Sequence, residues 1–92
     1  MNKEFKKKLK EDGFTHIYEW KDKPNNEYLP HQHKGKVSFY ITEGFIGVNL
    51  NGKEMTIKSG ERLDVPPATI HSVKVGPEGC TFVVGEEFEG DV

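Results

Sequence analysis

Residues 45–58 read FIGVNLNGKEMTIK, and turn chemistry and side-chain pattern agree on what that stretch does. Asn51-Gly52 readily takes the positive backbone angles of a type I′ turn, which predicts two short strands joined by a two-residue loop. A loop of that length fixes the register. Val48 then faces Met55 and Ile46 faces Ile57, which gathers four apolar side chains on one surface of a hairpin.

The same period of two runs outward in both directions. Upstream, Val37, Phe39 and Ile41 alternate with Ser38, Tyr40 and Thr42, and Gly44 is expected to end that strand. Downstream, Ser59-Gly60 turns the chain, Leu63 and Val65 alternate, and Pro66-Pro67 forbids further ladder pairing. His71, Val73 and Val75 form another alternating set, followed by a Pro-Glu-Gly turn and the run CTFVVG. Nearer the start, Phe14, His16, Tyr18 and Trp20 are expected on one strand face, ahead of the turn-rich KDKPNNEY. The opening MNKEFKKKLKED spaces Phe5 and Leu9 four apart before Gly13, which predicts one short helix with a left-handed stop. Its Lys6, Lys7 and Lys8 read as a solvated face. The pattern predicts an all-β chain, seven or eight strands in a sandwich or barrel: a helix over 1–13, strands over 14–85 and a loose tail over 86–92.

Composition bounds the function. Ninety-two residues make one domain with one core. The formal net charge is −2, divided as +3 over residues 1–36 and −5 over residues 37–92. Nucleic acid is therefore not the expected partner, because phosphate binding needs a cationic surplus. No apolar run reaches the roughly 18 residues of a membrane span, so no membrane partner is expected. The single Cys80 cannot close an intrachain disulfide and reads as a small buried apolar residue. A reducing, cytoplasmic setting is the expectation.

Chemistry concentrates in the histidines. His31 and His33 are two apart, so on an extended segment both rings project to one side, and His71 joins them if the sheet curls back. Neutral imidazole ligates Fe, Mn, Ni, Zn and Cu, and three such ligands leave positions free for water or substrate. From the residues alone, exposed or hydrogen-bonded histidines explain the pair equally well. No paired carboxylates, nucleophile elbow or phosphate loop is visible, so metal chemistry is the one catalysis the sequence suggests.

Spacing adds to this. His31-Gln32-His33, ten residues, then Gly44 resembles the first motif of the cupin superfamily. Gly60, five residues, Pro66, one residue, Ala68, two residues, then His71 resembles the second, with the Phe45–Ser59 hairpin between them. The resemblance implies an antiparallel jelly-roll barrel of six or more strands with a metal pocket inside. It implies His31 and His33 as the first two metal ligands and His71 as the last. Three positions depart from the pattern: Val37 stands where the family's acidic ligand falls, Ala68 replaces a glycine and Val75 an asparagine. Without the carboxylate, a divalent ion is expected to be held more weakly, with one more open position. His16 or water could take that position, whereas Glu43 lies too far along its strand. Cupins resembling thiol dioxygenases hold iron with three histidines alone.

Two functions are expected to compete. One is a metal-binding small cupin, dioxygenase-like if catalytic, acting on a small molecule. The other is a barrel that binds or senses a small molecule without a functional metal. Phe39, Ile41, Val48, Met55, Val73 and Phe82 are expected to line the interior, and a homodimer is expected to cover exposed sheet edges.

Overall fold

The structure is a computed structural model that describes residues 2–91. One helix, α1 (Asn2–Glu11), precedes six strands: β1 (His16–Asp22), β2 (Glu27–His31), β3 (Val37–Leu50), β4 (Lys53–Lys58), β5 (Arg62–Val65) and β6 (His71–Glu86). The expectation of seven or eight strands is corrected to six among the described residues. Gly44 and the Pro-Glu-Gly segment bend two long strands instead of ending them.

Those strands organise the fold. β3 and β6 pair antiparallel along nearly their whole length, with register shifts at Ile41/Glu43 and Gly44/Ile46. On one side of the bend, β3 also pairs β5 and β6 pairs β1. On the other, β3 pairs β4 and β6 pairs β2. One hydrogen-bonded sheet thus folds over on itself into two four-stranded halves, each long strand contributing to both. At the crease Gly44 and Gly79 both have φ of 80°, and a Cβ on Gly44 would collide with the Gly79 carbonyl oxygen. Only glycine allows the strands to cross there.

The hairpin follows its predicted register: Val48 is opposite Met55 and Ile46 opposite Ile57, with φ of 50° at Asn51 and 89° at Gly52. Its apolar face packs between the halves with Phe39, Ile41, Leu63, Val65, Val75 and Phe82, while Met55 and Val73 lie at the margin of this core. Cys80 is buried there too, and burial pushes its thiol up to about 11, so it stays protonated.

The opposite parity packs under the helix. Leu9, Phe14, Tyr40 and Val83 form a second cluster on the outer face, joined by Phe5 and Ile17. Phe14 therefore does not share a face with His16, Tyr18 and Trp20. It belongs to the helix stop: its amide donates to the Leu9 carbonyl, that of Gly13 to Lys10, and Gly13 has φ of 94°. This double bond pattern caps the helix and brings Phe14 onto Leu9, each side chain contributing about 1.5–3 kcal/mol when fully buried. Phe5 stacks on Tyr40 at 4.0 Å, and Arg62 bridges the Asp12 carboxylate (2.7 Å) and the Tyr40 hydroxyl (3.1 Å). No described helix is long and apolar enough to cross a membrane.

The tail is not loose over its described part. Residues 87–91 fold back on the loop after β2: Glu87 and Lys36 exchange two bonds, Glu87 donating its amide to the Lys36 carbonyl and accepting the Lys36 amide on its carboxylate. Asp91 accepts the amides of Lys34 and Gly35 at 3.2 and 2.9 Å. The acidic composition that suggested a solvated end supplies acceptors for a loop whose amides have no strand partner.

Candidate metal centre

Antiparallel pairing brings the histidines together. His31 closes β2 and His71 opens β6, and the ladder sets them opposite each other, ring centroids 4.2 Å apart. β2 ends at His31, so His33 comes from the following loop instead of the same extended strand. That loop is fixed by the Ala68 amide, which donates to the His33 carbonyl at 2.9 Å. The His33 ring lies 4.9 Å from each of the other two, and one nitrogen from each ring lies within 4.8 Å of the others.

The tautomers follow from the partners. Nδ1 of His31 contacts the Leu29 carbonyl oxygen at 2.7 Å, and Nδ1 of His71 that of Thr69 at 3.0 Å. A carbonyl can only accept, so each Nδ1 carries a hydrogen and each Nε2 keeps a free lone pair. His33 directs Nδ1 toward Asp91, 3.8 Å from Oδ1. Burial holds His33 and His71 below the usual imidazole range, and the neighbouring His31 pushes both the same way. Three imidazole nitrogens this close, with Nε2 of His31 and His71 free, fit a cation.

The rings open onto a cavity of about 930 Å³ between the two sheet halves. Tyr18, Trp20, Val37, Phe39, Phe82 and Val84 supply much of its wall, and neither Lys nor Arg lines it. This is the size and character of a small-molecule site: mostly apolar, with a few fixed polar groups. One is the buried Glu86, which accepts the Tyr18 hydroxyl at 2.8 Å. Burial, with Glu86 beside it, raises the phenol well above its ordinary value, so Tyr18 keeps its proton.

The remaining candidates sort clearly. Val37 faces the cavity and offers no ligand atom. His16 stands on the cavity wall outside the three-ring cluster, Nδ1 2.9 Å from the Thr15 hydroxyl and Nε2 3.6 Å from the Glu89 carboxylate. Glu43 is outside the cluster as well. Sequence reasoning missed Asp91 and Glu86. Neither belongs to a local motif, and Asp91 reaches His33 only because the segment after β6 folds back.

No protein-family model matches the chain, and no curated protein matches it. Solved structures do. An RmlC-like cupin from Shewanella frigidimarina superposes with a TM-score of 0.71 at 21% identity, covering 82% of this chain and 68% of its own. KdgF from Halomonas sp. gives a TM-score of 0.68 at 21% identity, covering 82% of this chain and 70% of its own. Oxalate decarboxylase from Bacillus subtilis gives 0.66 at 21% identity over 76% of this chain but 20% of its own. At these identities the likeness speaks for backbone architecture and leaves the chemistry to the residues. The folded-over sheet and these superpositions agree that the chain has the cupin fold.

Proposed function

We propose that His31, His33 and His71 bind one divalent transition-metal ion at the wall of the barrel cavity, and that the cavity presents a small organic molecule to that ion. The observation that carries this reading is the gathering of three imidazoles, one nitrogen of each within 4.8 Å of the others, with Nδ1 of His31 and His71 committed to backbone carbonyls and their Nε2 atoms left free. Three neutral donors suit Zn, Fe, Mn, Ni or Cu. Such an ion, when bound, supplies Lewis acidity or oxygen activation, the latter a dioxygenase-like activity. Around it, the apolar wall excludes water from a ligand, and the Tyr18–Glu86 pair offers a proton-holding contact.

Elemental analysis of protein purified without added metal tests this. About one equivalent of a transition metal, lost in His71→Ala, supports the reading. Less than about a tenth of an equivalent, with none retained after loading, overturns it in favour of a barrel that binds a small molecule without metal. We also propose a homodimer. The unpaired edges of β2 and β4 and the exposed Leu29 and Ile70 favour it. Light scattering that gives a monomer at micromolar concentration overturns it.

A further inference from the structure

We infer that Asp91 is a positioning residue of the metal centre: its carboxylate, brought in by the segment after β6, faces His33 from behind and supplies a negative charge that the three histidines lack. The inference rests on the metal reading and adds a residue to it.

Three observations converge. His31 and His71 each have a backbone carbonyl at hydrogen-bond distance from Nδ1, whereas His33 is faced by Asp91, through its backbone and through its carboxylate, whose Oδ1 lies 3.8 Å from Nδ1. At that distance the carboxylate acts through its charge, which favours a hydrogen on the nitrogen that faces it, leaves Nε2 free and strengthens the ring as a donor. Second, Asp91 is itself held. Its two oxygens accept the amides of Lys34 and Gly35, next along the chain from His33, so carboxylate and ring belong to one small structure. Third, the contact is sheltered, with side-chain exposure of 8% for His33 and 14% for Asp91, and charges there are screened less than at the surface. Three neutral imidazoles leave a divalent ion's charge uncompensated, and Asp91 offsets part of it without occupying a coordination position.

Zinc affinity, measured by competition with a chromophoric chelator, tests this on the full chain. Asp91→Asn keeps the size of the side chain and loses its charge. Glu87→Gln makes the same change on the same segment, at the carboxylate that accepts the Lys36 amide, and serves as the control for simple loosening of the tail. The expected result is a loss of about tenfold or more for Asp91→Asn and less than about threefold for Glu87→Gln. Nitrogen NMR of the His33 ring in metal-free protein gives a readout that needs no ion. The wild type is expected to show the Nδ1–H form, and Asp91→Asn a shift toward Nε2–H. Equal zinc affinity in wild type and Asp91→Asn, equal losses in both variants, or an unchanged His33 tautomer overturns the role. A wild type that retains no zinc overturns the metal reading and this role with it, an outcome distinct from a wild type and Asp91→Asn that bind equally well.

Discussion

The amide of Ala68 donates to the carbonyl oxygen of His33 at 2.9 Å, so the loop leading into His71 is fastened to the loop that carries the second histidine. Ala68 makes this bond from a left-handed backbone conformation, φ 58°. That conformation costs an L-residue with a Cβ about 1–2 kcal/mol, and glycine about nothing. Ala68→Gly should therefore stabilise the fold, less about 0.4–1 kcal/mol for the freer unfolded chain. The net, up to about 1.6 kcal/mol, corresponds to a melting temperature higher by up to roughly 13 °C in a domain of this size. Thermal unfolding checks it, and a lower melting temperature would show that the loop is not strained at this residue.

Gly44 and Gly79 invite the opposite substitution. A Cβ at Gly44 meets backbone on the neighbouring strand, which cannot swing aside as a side chain could, and φ of 80° adds its own penalty. Gly44→Ala should cost about 3 kcal/mol or more, combining overpacking with left-handed strain. The measurement is a urea titration. A midpoint close to wild type would mean that the crease relaxes freely and that the two halves are not rigidly joined there.

Much of this architecture was legible because its causes are local. Asn51-Gly52 dictates a hairpin, the pairing of Ile46 with Ile57 follows from a two-residue loop, and Leu9 followed by Gly13 dictates a capped helix. The histidine cluster was legible through its resemblance to the cupin motifs, because the extended-strand argument that pairs His31 with His33 fails at His33, which lies in the loop after β2. Other features depend on long-range contacts. Gly44 has the same left-handed preference whether it ends a strand or bends it, and the decision rests with Gly79, 35 residues away. Phe14 fits the alternation of β1, but the helix stop claims it for the outer cluster. Asp91 looks like part of a solvated tail until unpaired amides at Lys34 and Gly35 are there to bind it.

Stability of the metal-free protein should depend on pH through His33 and His71. Burial lowers the folded value of both rings below the unfolded value near 6.5, so between the two values the unfolded chain binds protons that the folded chain refuses. The contribution is fully present above about pH 6.5 and is lost as pH falls through the folded values. Melting temperature should drop from about pH 7.5 to pH 5.5, and zinc affinity should drop over the same interval because protons compete for the lone pairs. A flat or rising melting temperature on acidification would mean that the rings are solvated and do not share a buried cluster.

Val37 offers a place to introduce a fourth ligand. Its side chain is buried on the cavity wall, and the ladder sets it between Val65 and Glu86. Val37→Glu places a carboxylate there with no cation beside it, next to an existing buried acid. The metal-free variant should therefore melt below wild type, since an unpaired buried polar group costs a few kcal/mol. With zinc the sign reverses: a fourth, anionic ligand neutralises the ion and is itself neutralised. Affinity should rise by about tenfold or more, equivalent to about 1.4 kcal/mol, and chelation should lower the melting temperature by more than in wild type. Calorimetry of zinc binding with paired melts, with and without chelator, measures both signs. A variant less stable without zinc and no tighter with it would show that residue 37 points into the cavity but away from the ion, making its valine part of the apolar wall.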